Sequence, residues 1–335
     1  MQKGGPARSR QMRRRPSDAV LAVALAWLAA SAAPAVFAQD TTDQDPTDQD
    51  TTDPESTAPT APEGMVSLTG FAAPESVLID RARGVVYVAN INGGPGEADD
   101  NGFISRINLD DMSVESHWID GATDSVRLDA PKGMALTPDG FLLVSDIDRL
   151  RAFLIETGEP SAVLEVADAV FLNDLWFEDG TLYVSDSGAS DTSGRLLAVD
   201  ADGGMETVAE GADLVRPNGV AVDGSGRLLV ATLDAARILA IAEDGAPTTV
   251  ADLPAGRLDG LVPLADGSLL VSSWEAGAVF RVAADGGITT VVDGLASPAD
   301  IDAEIGAATD AGGAAGLLAI PILTENRVIL MPLPE

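Results

Sequence analysis

One pattern recurs six times between about residue 65 and the end of the chain: a Pro- or Leu-led start, an alternating run, a Gly turn, an apolar strand, a variable loop, then two more strands. The starts read APESVLID (73–80), APKGMALT (130–137), FLNDLWFE (171–178), RPNGVAVD (216–223), RLDGLVPL (257–264) and SPADIDAE (297–304), at intervals of 57, 41, 45, 41 and 40 residues. Turn-and-strand pieces such as PDGFLLVSD and ADGSLLVSS follow them, and stretches such as GRLLAVDADGGMETVAE read as two strands joined by an Asp-Gly hairpin. Four strands per unit at such a period spell the blade of a β-propeller. One four-stranded sheet cannot bury both of its faces alone, so the units must pack on each other around an axis. The reading is an all-β, six-bladed propeller over residues 64–335, with four antiparallel strands per blade. The last unit shows only three strands, so the spare N-terminal strand Met65–Thr69 is expected to supply the fourth and close the ring.

Composition narrows the chemistry. Without Cys there is no disulfide framework, thiolate metal cluster or cysteine nucleophile, and one His cannot make a two-histidine metal site. A net charge of −33 repels phosphate backbones, which argues against nucleic acid as a partner. Ahead of the repeats, six bases precede the apolar run Ala19–Ala33, and Val36-Phe37-Ala38 offers small residues at −3 and −1. Residues 1–38 therefore read as a secretory signal cleaved after Ala38, giving a periplasmic or secreted protein with no membrane segment once processed. Residues 39–63 carry eight acids, no base and almost nothing apolar. They read as a disordered acidic linker.

In a propeller the first strand of each blade lines the central channel, so a shared repeat position forms a ring around the axis. The residue after each leading Pro or Leu is Glu75, Lys132, Asn173, Asn218, Asp259 and Ala299, five of them polar. Packing alone would favour small or apolar residues there. The next position reads Ser76, Gly133, Asp174, Gly219, Gly260 and Asp300, mostly small, as crowding at an axis requires. Two carboxylates and two amide oxygens converging on one point suit a hard cation such as calcium, which takes six to eight oxygen ligands. The same residues could instead satisfy one another and channel water.

These first strands resemble the senescence-marker-protein/gluconolactonase/luciferin-regenerating-enzyme family of six-bladed propellers, and more loosely diisopropyl-fluorophosphatase, paraoxonase, strictosidine synthase and NHL-repeat proteins. The resemblance implies a channel calcium held by Glu75 in PES, Asn173 in LND, Asn218 in RPNG and Asp259 in LDG. It further implies hydrolysis of a small lactone or ester, with Asp259 as general base or nucleophile and Asp174 as second-choice acid. Two departures bear on the substrate. The family's Glu-Gly-Pro-x-Trp motif is replaced by Glu75-Ser76-Val77-Leu78, and Phe171 stands where gluconolactonases carry Arg. A more apolar lactone or ester would suit Phe171 and Trp176.

Lys132, Asp174, Phe171 and Asp300 complete the candidate substrate-binding set. Lys132 either receives a substrate carboxylate or pairs with Glu75 or Asp174. His117 lies on an expected outer strand and reads as structural. The rim loops Asn92–Asn101 and Asp186–Gly194 read as solvated, with a lid or second calcium site as the other possibility. Set against the hydrolase is a non-catalytic, NHL-like binding or scaffold propeller, which the sparse aromatics and the acidic linker also fit.

Overall fold

The computed structural model describes residues 64–123, 125–190, 192–304 and 316–334. The expected export signal and acidic linker lie outside the described residues. The described residues form six four-stranded antiparallel sheets, five of them built in chain order from the axis outward and the sixth completed by the N-terminal strand. Blade 1 comprises Pro74–Asp80, Val85–Asn90, Phe103–Asn108 and Val114–Asp120. The inner strands of blades 2 to 5 are Pro131–Leu136, Leu172–Glu178, Pro217–Val222 and Leu258–Pro263. Second strands such as Phe141–Asp146 and Leu269–Ser273 are buried almost throughout, because neighbouring blades cover both faces. Outermost strands such as Pro247–Asp252 stay open on one side. The apolar cores sit between blades: Ala135, Leu143 and Leu150 of blade 2 pack against Leu172, Leu175 and Val184 of blade 3. No helix among the described residues is long and apolar enough to cross a membrane.

The ring closes as the sequence implies. Blade 6 runs outward from Asp302–Glu304 through Gly316–Ile322 and Arg327–Leu333 to the N-terminal strand Val66–Thr69, whose Val66 pairs with Leu330 and Thr69 with Arg327. At the axis, Asp300 N–H donates to Glu75 O at 2.9 Å and Val77 N–H to Asp300 O at 3.2 Å. Asp302 Oδ2 accepts from Ile79 N–H at 2.7 Å. Both the outer edge and the inner edge of the seam are therefore hydrogen-bonded, which leaves no unpaired strand at the junction.

Each of the five polar ring residues sits in an irregularity of its inner strand. Register shifts fall between Pro74 and Ser76, Pro131 and Met134, Leu172 and Leu175, Pro217 and Val220, and Leu258 and Leu261. A bulge of this kind releases the extra residue from the ladder and re-aims its side chain. The freed backbone groups find partners on second-strand serines. Ser185 Oγ accepts from Asp174 N–H at 2.9 Å, and Ser272 Oγ accepts from Gly260 N–H at 3.0 Å. Ser272 in turn donates to Ala299 O of the next blade at 2.8 Å.

The small residues of the second ring are required by close approach. A Cβ on Gly133 would lie 2.5 Å from Asp174 Cα, and one on Gly219 would overlap the carbonyl oxygen of Asp259. Both neighbours are backbone and cannot swing aside. Gly219→Ala is therefore expected to destabilise the fold by about 3 kcal/mol, the upper range for overpacking. At about 2–4 °C per kcal/mol for a domain of this size, thermal melting should fall by roughly 6–12 °C. An unchanged melting temperature would contradict the packing account.

Candidate functional site

The bulges bring the ring side chains into a nearly dry centre. Glu75, Asn173, Asn218 and Asp259 are 6, 4, 2 and 1% exposed. Burial pushes the Glu75 carboxyl well above its ordinary value, and the charge of Asp259 across the axis pushes it further. Burial likewise raises Asp259 to about 7; the Trp274 hydrogen bond works against that rise and the charge of Asp174 adds to it. Two acids from blades 1 and 5 thus face each other with too little positive charge to hold both ionised.

Hydrogen bonding at these residues is incomplete in a consistent way. Asp259 Oδ2 accepts from the Trp274 indole Nε1–H at 2.7 Å. Asn218 Nδ2 donates to Leu258 O at 3.2 Å, and Asn173 Nδ2 to Ser187 Oγ at 3.3 Å. Ser187 in turn donates to Pro217 O at 2.7 Å. Glu75 Oε2, Asn218 Oδ1 and Asp259 Oδ1 are buried without any partner. Buried acceptors without donors are rare and costly in a folded protein. Oxygens only, from carboxylates and amides, form the donor set a hard cation prefers. Among the described residues no three His, Asp or Glu by themselves close on a point, so a cation here depends on the two Asn amides.

The remaining candidates occupy other roles. Asp174 accepts from Leu175 N–H at 2.6 Å through one oxygen and from Val220 N–H at 2.7 Å through the other, tying blade 3 to blade 4. Burial raises Asp174 to about 7 and lifts Asp300 well above its usual range, with Asp174, Asp259 and Glu75 adding to the latter. Lys132 is 1% exposed. Its Nζ donates to Ala130 O at 2.9 Å and rests 4.4 Å from the centroid of the Phe171 ring. No carboxylate lies within ion-pair distance of it among the described residues, and burial lowers its pKa. Lys132 and Phe171 thus form one unit between blades 2 and 3. Trp176 instead packs between blades, beside the core that includes Leu196 and Val220. His117 stacks on Phe103 at 3.9 Å between centroids, far from the channel strands in its blade.

Both rim loops are internally tied. In the first, Asn92 Nδ2 donates to Asn101 O at 2.9 Å and Gly94 N–H to Glu97 Oε2 at 3.1 Å. In the second, the Asp186 carboxylate accepts from Phe171 and Gly188 N–H groups at 2.9 and 3.1 Å and pairs with Arg195 at 3.1 Å. Trp274 is the site residue that sequence reasoning missed. Its signal lay in the repeat: it occupies the position of Ser187, one past the second strand, and both residues touch the ring side chain of their own blade.

No known family model matches the sequence, and no curated protein matches it in sequence. Solved structures do match in fold. A gluconolactonase from Xanthomonas campestris superposes with a TM-score of 0.61 at 16% identity, covering 81% of this chain and 89% of that one. A luciferin-regenerating enzyme gives 0.59 at 13% identity over 80% and 95%. Virginiamycin B lyase from Staphylococcus aureus gives 0.55 at 14% over 81% and 99%. The class defined by fold and site is thus the six-bladed propeller with a polar channel. Within that class the chain shares its architecture with gluconolactonase and luciferin-regenerating enzyme.

Proposed function

We propose that the protein is an extracytoplasmic, calcium-dependent hydrolase of small lactones or esters. The observation that carries the reading is the set of three buried, partnerless oxygens on Glu75, Asn218 and Asp259, in the same ring as the buried Asn173. Glu75, Asn173, Asn218 and Asp259 would hold the ion. When bound, calcium supplies Lewis-acid polarisation of the carbonyl and neutralises charge developing on its oxygen. Asp259, steadied by Trp274, takes the proton of the attacking water or attacks the carbonyl itself. In the net reaction water adds to the carbonyl carbon, the ring C–O bond breaks and the hydroxy acid leaves. Asp174 holds the Asn173 and Asn218 strands in register and so positions the two amides. Phe171 forms the wall that meets the apolar part of the substrate, and Lys132, whose ammonium lies over that ring, offsets negative charge developing on the substrate oxygen. Export rests on the signal-like residues 1–38.

The test is turnover of a panel of aliphatic and aromatic lactones with calcium, after chelation, and after calcium is restored. Ring opening that disappears on chelation and returns with calcium is expected. Absence of chelator-sensitive turnover on every substrate would sink the reading and leave a binding propeller.

A further inference from the structure

The position two residues before each ring residue reads Ala73, Ala130, Phe171, Arg216, Arg257 and Ser297 around the axis. At about 3.3 Å per residue, each of these backbones lies within about 7 Å of the ring residue's Cα, at the entrance to the inner strand. The set is lopsided. Blades 1 to 3 present Ala73, Ala130 and Phe171, and the adjacent blades 4 and 5 present the two arginines.

Two features set those arginines apart. First, thirteen arginines lie among the described residues, and Arg257 alone forms no ion pair with a described acid. Arg257 is exposed in a protein of net charge −33, where acids to pair with are plentiful. Even Glu275, which accepts from the preceding Gly256 N–H at 2.6 Å, does not reach it. Second, Arg216 is under-committed: its contact with Asp234 is 3.7 Å, and its Nε is buried with no partner. The left-handed backbone at this position, φ 58° at Arg216 and 52° at Arg257, is shared by Ala73 and Ser297 and belongs to the blade entrance rather than to the arginines. A guanidinium's planar fork matches a carboxylate in two-point contact.

We infer that Arg216 and Arg257 form a carboxylate-binding lip on one side of the channel mouth, so that the substrate carries a carboxylate near its scissile bond and turns its apolar side toward Ala73, Ala130 and Phe171. This rests on the hydrolase reading above for what happens next, but not for the binding itself. A locally cationic lip also offsets the repulsion an anion meets from a protein of net charge −33.

The experiment measures binding by calorimetry, in calcium, of 5-oxotetrahydrofuran-2-carboxylate and of its neutral parent γ-butyrolactone, alongside turnover of both. The wild type should bind the carboxylate at least tenfold more tightly, with the preference shrinking as salt rises. Arg257→Gln and Arg216→Gln should each remove most of that preference without changing affinity for the neutral lactone, and Arg257→Lys should restore part of it. Equal affinity for the two probes in the wild type, or a preference untouched by both Gln variants, overturns the lip. Arginine-dependent carboxylate binding without ring opening of either probe supports the lip and counts against the hydrolase reading. Chelator-sensitive ring opening with no carboxylate preference does the reverse.

Discussion

Asp259→Asn is expected to lower lactone turnover by on the order of a thousandfold or more, because it removes a ligand charge and the proton acceptor together. The substitution keeps shape, and the new amide oxygen can still accept from the Trp274 indole. Folding should not suffer. Asp259 is 1% exposed, and burial raises its pKa to about 7, so at pH 8 the metal-free wild type carries a carboxylate that the fold disfavours. The Asn variant removes that cost. Its metal-free melting temperature at pH 8 should equal or exceed the wild type's, while calcium should stabilise it far less. Full activity in a folded variant would remove Asp259 from the reaction, and a collapsed fold would show that its role is structural.

The second large effect is on stability as a function of pH. Burial raises the folded-state values of Asp174 and Asp259 to about 7 and of Asp302 to about 6, and lifts Glu75 and Asp300 well above their usual range. In the unfolded chain these carboxyls titrate near 4. Between those limits the folded state holds more protons than the unfolded state, so stability falls as pH rises through that window. Asp223 and Asp266, held near 2 by neighbouring Ser and Arg groups, act only below about 4 and do not offset it. Metal-free protein should therefore melt several degrees lower at pH 8 than at pH 5. On the proposed reading calcium would bind the deprotonated site, so its stabilisation should be large at pH 8 and small at pH 5. In Glu75→Gln the calcium-induced shift at pH 8 should largely vanish. Scanning calorimetry with and without chelator at both pH values decides the matter: a flat or rising metal-free curve, or an equal calcium shift at both, contradicts the buried-carboxylate account.

The repeat made much of this architecture readable. A blade is a local object, four strands joined by short turns, and its alternation and Gly punctuation recur wherever a blade does. Six recurrences implied six blades, the missing strand of the last unit implied closure by Val66–Thr69, and one repeat position implied a ring that holds Glu75, Asn173, Asn218 and Asp259. What the individual ring side chains do was less legible. Asp174 reads in sequence as a second-choice acid or as a hydrogen-bonding partner of the Asn173 loop, and in the fold both its oxygens serve backbone amides, one of them in the next blade. Lys132 reads as a carboxylate-binding group or half of an ion pair, and in the fold it lies over Phe171. Trp176 packs between blades, while Trp274, unremarkable in sequence, holds Asp259.

The division has a physical cause. Strand pattern, blade count and ring membership follow from hydrophobic periodicity, which acts over a few residues and repeats. The aim and partners of each ring side chain follow from bulges and from contacts between blades, across separations such as the 46 residues between Asp174 and Val220 or the 223 between Ile79 and Asp302. No local pattern encodes those pairings. They form only when six sheets close around one axis, and that closure decides which oxygens are satisfied and which are left buried without a partner.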